Sequence, residues 1–218
     1  MLHRYLFTFL VGIALTNTAF SEMPKGQTIA VTSVVYGKTK DGNKRTGILR
    51  LIMTEGEIVV FQDEDHFKGK FALQLETQGA QDKTTPLNPI TLPLTGGGDL
   101  FFPKGTWPIV THDFNKDGIS EFNLSQPGNS WGSHFMLFTF AKDGSGKIEA
   151  MIVDEEKDYN YLHPQTTSPS THELFETKEG FKHIFTERGD IEDKEIYIHF
   201  RWNTKTKQFQ EQKRAPVE

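Results

Sequence analysis

The chain has 218 residues, no cysteine and a formal net charge of −5 at pH 7. The absence of cysteine excludes disulfides, thiolate metal sites, a cysteine nucleophile and lipid attachment at an N-terminal cysteine. The mildly acidic balance, without a basic stripe, argues against nucleic acid as a partner. A chain of this length can bury a real hydrophobic core in one or two domains.

The first 21 residues have the features of a secretory signal peptide. Arg4 supplies a positive start, and small residues in Ala19–Ser21 fit a cleavage site. The apolar stretch Tyr5–Leu15 is shorter than the roughly 20 residues that cross a bilayer. The alternative is a single-pass membrane anchor, which the early polar residue Asn17 disfavours. We therefore expect a periplasmic or secreted protein that is not embedded in a membrane.

Phenylalanine is unusually frequent, with 18 residues, and most of them fall in short runs with β-branched or alternating apolar residues. Turn sequences rich in glycine, asparagine and aspartate separate these runs. The pattern predicts an all-β fold, a sandwich or barrel-like structure with little helix. The predicted strands are Thr28–Tyr36, Gly47–Met53, Glu57–Gln62, Lys70–Glu76, Trp107–Asp113, Ser133–Ala141, Lys147–Val153, Phe181–Thr186 and Glu195–Trp202.

Two polar stretches that contain prolines interrupt this pattern, Gln78–Pro93 and Asp158–Ser170. Each is consistent with a long loop or with a connection between domains. We predict a single β-rich domain over residues 22–218, with a sub-domain boundary near 78–98 as the alternative. The string Asp-Phe-Asn-Lys-Asp-Gly occurs once, which excludes a propeller built from its repeats.

From Asp113 the chain reads Asp-Phe-Asn-Lys-Asp-Gly-Ile-Ser-Glu. Calcium takes several oxygen ligands, and loop positions 1, 3, 5, 7 and 9 can supply them, position 7 through its main-chain carbonyl. Gly118 stands at position 6, where the turn requires positive φ. The alternative is an ordinary hairpin turn whose aspartates serve solubility. The spacing predicts one Ca²⁺ held by Asp113, Asn115, Asp117, Ile119 and Glu121.

A full EF-hand also needs a bidentate carboxylate at position 12, where this chain has Leu124. Apolar residues around the loop, such as Phe114 and Phe122, favour flanking strands instead of helices. Over Trp107–Phe140 the string resembles the calcium loops of integrin α-chain and FG-GAP (VCBS-type) repeats. In those repeats a strand leads into an Asp-x-Asp/Asn-x-Asp-Gly-x-x-Asp loop and another strand follows. Glu121 stands where the repeats usually have aspartate.

The segment after this loop is rich in glycine, asparagine and serine, and an aromatic strand follows it. This order of features is similar to that of small periplasmic proteins that inhibit lysozyme-like peptidoglycan hydrolases, including immunity proteins. The resemblance implies a peptidoglycan hydrolase as the partner. The partner-binding residues would be Asn129, Ser130 and Trp131, with the tryptophan as the aromatic anchor.

The residues Gly128–Gly132 also match the nucleophile-elbow string Gly-x-Ser-x-Gly. In α/β-hydrolases that serine lies between a buried strand and a long helix, whereas here a predicted strand follows Ser130. We therefore predict a non-enzymatic binding protein without catalytic residues. The alternatives are an envelope hydrolase, either a serine esterase or a glycosidase, and a structural envelope protein in which calcium only stabilises the fold.

The histidines show no His-x-x-x-His or His-Glu-x-x-His spacing. Pairing of two predicted strands could still bring His183 and His199 together as transition-metal ligands. The prediction favours surface or strand-face histidines over such a site.

Overall fold

The computed structural model describes residues 26–61, 63–78, 84–86, 90–92, 100–126, 134–153, 174–187 and 194–217. Every regular element in these ranges is a β-strand, which confirms the predicted all-β fold. No helix in them is long and apolar enough to span a membrane. The strands are β1 (Gln27–Lys38), β2 (Lys44–Phe61), β3 (Glu64–Gln78), β4 (Thr84–Pro86), β5 (Ile90–Leu92), β6 (Leu100–Pro103), β7 (Trp107–Pro108), β8 (Thr111–His112), β9 (Glu121–Gln126), β10 (His134–Phe140), β11 (Ile148–Ala150), β12 (Ile152–Val153), β13 (Leu174–Glu176), β14 (Gly180–Glu187), β15 (Lys194–Asn203) and β16 (Gln208–Pro216).

The N-terminal sheet is an antiparallel meander of β1, β2 and β3. Three short strands, β4, β5 and β6, pair along β3, and β7 adds to β1 in parallel. The two strands predicted over Gly47–Met53 and Glu57–Gln62 form a single strand, β2. The chain passes through this region without a turn. Gly56 there pairs with Gly69 of β3, and the two backbones come so close that neither position has room for a side chain.

Two further sheets follow in the chain. The middle sheet has the order β11-β10-β9-β8, and the C-terminal sheet has the order β12-β16-β15-β14-β13. The C-terminal sheet is antiparallel from β13 to β16, and β12 joins β16 in parallel. Strand β9 is not among the strand ranges predicted from apolar alternation, but it is the strand that the apolar residues around the calcium-loop string predicted after the loop.

Two hydrophobic cores lie between these sheets. The N-terminal core includes Leu49, Leu51, Phe71, Phe122 and Phe138. The C-terminal core consists of Phe114, Leu137, Val153, Leu174, Phe181, Ile196, Ile198, Phe200 and Phe209. Because side chains alternate along a strand, the middle sheet contributes to both cores. Its pair Phe122 and Phe138 packs into the N-terminal core, and Leu137 packs into the C-terminal core.

Two of the predicted strands are each divided between sheets. Trp107–Asp113 becomes β7, which pairs with β1, and β8, which pairs with β9. Lys147–Val153 becomes β11, which pairs with β10, and β12, which pairs with β16. At Met151, between β11 and β12, the amide still donates to the Leu137 carbonyl at 2.8 Å. The chain changes sheets at both places, and an apolar run in the sequence does not reveal such a change.

Candidate metal centre

The Asp113–Glu121 loop connects β8 and β9, which pair with each other. Thr111 lies opposite Phe122, and His112 lies opposite Glu121. The ladder therefore closes the loop at its base and carries Glu121 as the first residue of β9. The loop is flanked by strands, as its apolar neighbours predicted.

The carboxylates of Asp113, Asp117 and Glu121 converge. Each offers one oxygen atom, and these three atoms lie within 4.8 Å of one another. The loop's own amides hold this arrangement. The Gly118 amide lies 3.2 Å from both Asp113 carboxylate oxygens, the Asp117 amide donates to Asn115 Oδ1 at 3.0 Å, and the Ile119 amide donates to Asp117 Oδ1 at 2.9 Å. Gly118 has the expected positive φ, 80°.

Glu121 is fully buried. Its Oε2 accepts a hydrogen bond from the Phe114 amide at 2.5 Å, while its Oε1 has no hydrogen-bond partner. Burial, followed by the negative charges of Asp117 and Asp113, raises the pKa of Glu121 to about 8, against hydrogen bonds from loop amides that lower it. A cation placed among these carboxylates would remove the repulsion and favour the ionised form.

Two lysines that are distant from the loop in sequence contact Asp117. Lys38, at the end of β1, donates to the Asp117 carbonyl oxygen at 2.5 Å. Lys142, in the turn after β10, places its amine 2.8 Å from Asp117 Oδ2. Neither lysine could be identified from the sequence, because neither lies near the loop in the chain. Both engage Asp117, so they do not supply the partner that Glu121 Oε1 lacks.

On the other side of the loop, Glu176 of β13 connects it to the C-terminal sheet. The Glu176 carboxylate accepts from the Asp113 amide at 3.0 Å and from Lys116 Nζ at 2.6 Å, and it lies 3.7 Å from His112 Nδ1. Burial acts to raise the pKa of Glu176, but the hydrogen bonds from Lys116 and Asp113 hold it below its usual range. The role of Glu176 could not be identified from the sequence either.

The donors of this centre are oxygen atoms, which suit a hard cation such as Ca²⁺ or Mg²⁺ better than a transition metal. Each carboxylate or amide oxygen has two lone pairs, so one that already accepts an N–H bond can still bind a cation. The buried Glu121 Oε1 without a partner fits the same role. Ile119 is buried in the N-terminal core, and the use of its carbonyl as a ligand stays a prediction.

Two other sites were considered from the sequence, the partner-binding loop and a histidine pair. Asn129, Ser130 and Trp131 lie outside the described residues, so the partner-binding loop stays a prediction. His183 and His199 do not come together. His183 pairs with Ile198 and is buried, whereas His199 pairs with Lys182 and is partly exposed, so the two rings lie on opposite faces of the sheet.

No protein-family model, no curated protein and no solved structure matches the chain. Its fold and geometry define an all-β protein with an acidic candidate metal centre between the middle and C-terminal sheets. The resemblances to FG-GAP repeats and to periplasmic lysozyme inhibitors stay predictions.

Proposed function

We propose that this protein binds one Ca²⁺ through Asp113, Asn115, Asp117 and Glu121, and that it acts as an exported binding protein. The observation that supports the calcium site best is the fully buried Glu121, whose Oε1 has no partner and which faces two further carboxylates. The spacing of the loop and the positive φ of Gly118 support the same proposal.

A negative charge on the buried Glu121 is unfavourable without a cation. An ionised carboxylate that leaves water without a partner costs several kcal/mol, and the two neighbouring carboxylates add repulsion. A divalent cation compensates for both, because it attracts all three groups at once and takes the free Glu121 oxygen as a ligand. Calcium fits better than magnesium, since magnesium requires a stricter octahedral arrangement of its ligands.

The loop lacks the bidentate carboxylate that strengthens an EF-hand, since position 12 is Leu124. We therefore expect an affinity in the range of extracellular calcium modules, with a dissociation constant of about 10⁻⁴–10⁻³ M. This range suits a periplasmic or secreted protein, the localisation that the predicted signal peptide indicates.

The test is a calorimetric calcium titration of the wild-type protein and of Glu121→Gln. Glutamine has the shape of a neutral glutamic acid, so it preserves packing and removes the charge. We expect binding by the wild type and its loss in the variant. Glu149→Gln is the matched control, because Glu149 is exposed and pairs with Lys147 away from the loop; it should bind as the wild type does. Equal binding by Glu121→Gln, or no binding by the wild type, contradicts the proposal.

The partner in this proposal is a lysozyme-like peptidoglycan hydrolase, and its support is the order of loops in the sequence. A large aromatic side chain between glycines can enter a cleft at low entropic cost, which makes Trp131 the expected anchor. In a lysozyme inhibition assay the wild type should inhibit, and Trp131→Ala should inhibit much less without a lower melting temperature. Absence of inhibition by the wild type would remove the partner and leave the calcium site intact.

A further inference from the structure

The Asp113–Glu121 loop contributes to both hydrophobic cores. Phe114 is fully buried in the C-terminal core, with its ring centroid 4.9 Å from that of Phe181. Ile119, five residues later, is buried in the N-terminal core. Next to it, Ser120 exchanges two hydrogen bonds with Val35 of β1: its amide donates to the Val35 carbonyl at 2.7 Å, and its hydroxyl accepts from the Val35 amide at 2.9 Å. The loop is thus held by the first sheet and by the C-terminal core at once.

The face of β9 that carries Glu121 also carries Asn123, because residues two apart lie on the same side of a strand. Asn123 pairs with Leu137, a member of the C-terminal core, so this face lies beneath that core. Asn123 is fully buried, and neither its Oδ1 nor its Nδ2 has a hydrogen-bond partner. Together with Glu121 Oε1, three polar atoms are therefore buried without partners on this face.

Strand β13 of the C-terminal sheet also contacts the loop through a polar side chain. Glu176 follows Leu174 of the C-terminal core by two residues, and its carboxylate accepts from the Asp113 amide and from Lys116 Nζ. It therefore fixes the backbone of the first predicted ligand. It also holds the Lys116 amine, a positive charge that would otherwise be free to approach the acidic cluster.

We propose that calcium binding is coupled to the docking of the C-terminal sheet on the middle sheet, and that Glu176 is a positioning residue that makes this sheet part of the metal centre. The proposal rests on the proposed calcium site. Without an ion, docking buries the polar atoms of Glu121 and Asn123 without partners, and each such group costs about 1–3 kcal/mol. An ion that takes Glu121 Oε1 as a ligand removes this cost at Glu121, so the docked state binds calcium more tightly, and by linkage calcium favours docking.

The first test is hydrogen exchange measured by mass spectrometry, with calcium and with chelator. We expect calcium to slow exchange in β14 and β15 of the C-terminal sheet as well as in the loop, and to leave the β2–β3 hairpin nearly unchanged. Binding is measured by calorimetry on the same preparation. If calcium binds but protection stays within residues 111–123, the coupling is wrong and the calcium site stands. If calcium does not bind, the proposed function itself fails.

The second test is Glu176→Gln, which removes the charge that holds Lys116 and weakens the contact to the Asp113 amide. Residues that orient metal ligands without touching the ion typically change affinity by 10–100-fold, and we expect calcium affinity to fall about tenfold, with the melting temperature in chelator little changed. Glu179→Gln is the matched control, since Glu179 lies on the same hairpin and pairs with Arg201 instead. Unchanged calcium affinity in Glu176→Gln would overturn the positioning role.

Discussion

The tripeptide Lys-Asp-Gly occurs three times, as residues 40–42 between β1 and β2, as residues 116–118 in the Asp113–Glu121 loop and as residues 142–144 in the turn after β10. The second and third of these turns are the most similar in structure. Both glycines have positive φ, 80° at Gly118 and 73° at Gly144. In both places the aspartate accepts a hydrogen bond from the amide two residues later, Asp117 from Ile119 at 2.9 Å and Asp143 from Ser145 at 2.8 Å. In these two places the same three residues build the same local turn, whereas after residues 40–42 the Asn43 amide donates to the Thr39 hydroxyl oxygen at 3.1 Å.

The surroundings of the two aspartates differ completely. Asp143 is exposed, and the hydrogen bonds from the Ser145 hydroxyl and amide hold its pKa below its usual value. Asp117 lies beside Asp113 and the buried Glu121, four residues before and four residues after it. The tripeptide therefore specifies a turn, while the flanking acids and the cores on either side make one of these turns a candidate metal centre.

The largest expected effect on the free energy of unfolding comes from Phe114, the residue of the Asp113–Glu121 loop that packs in the C-terminal core. Phe114→Ala should lower the free energy of unfolding by about 3–5 kcal/mol, because it leaves a cavity among fully buried aromatic rings. Urea unfolding measures the effect. Phe175→Ala is the control. Phe175 of β13 is 38% exposed, so this substitution should lower the free energy of unfolding much less. A loss at Phe114 no larger than at Phe175 would mean that the loop is not anchored in the C-terminal core.

The next prediction compares stabilisation by calcium after substitution of each of the two aspartates. Calcium at about a hundred times its dissociation constant should stabilise the wild type by roughly 2.7 kcal/mol. Asp117→Asn should abolish this gain, whereas Asp143→Asn should retain it, because asparagine preserves the turn hydrogen bond in both variants and only Asp117 faces the other carboxylates. Thermal melts with calcium and with chelator provide the measurement. Loss of the gain in both variants, or in neither, would remove the distinction between the turns.

The smallest effect concerns the glycine with positive φ that the two turns share. Gly118→Ala and Gly144→Ala should each cost about 1–2 kcal/mol, because a side chain disfavours the left-handed conformation. Gly118→Ala should cost more of the two, since its new Cβ would lie 2.9 Å from Lys38 Nζ, while the Gly144 Cβ would meet the Arg45 guanidinium at 3.3 Å. Urea unfolding in chelator compares them. A negligible cost at both positions would show that neither turn depends on glycine.

Features that depend on residues close together in the chain could be predicted from the sequence. Alternating apolar residues specified strands such as β1, β10 and β15, although their ends differ by one or two residues from the prediction. The spacing of Asp113, Asp117 and Glu121, with Gly118 between them, was sufficient to predict that their carboxylates converge. These properties are local, because they follow from backbone periodicity and from the conformational freedom of one glycine.

The surroundings of the loop depend on residues that are distant in the chain and could not be predicted from the sequence. Lys38 and Glu176 reach it from 79 and 60 residues away in the chain, and no local pattern marks either one. The C-terminal core covers β9. Its packing buries Asn123 and leaves Glu121 Oε1 without a hydrogen-bond partner. Burial and long-range pairing arise when distant strands pack together, so the physical environment that turns a Lys-Asp-Gly turn into a candidate calcium centre exists only in the folded chain.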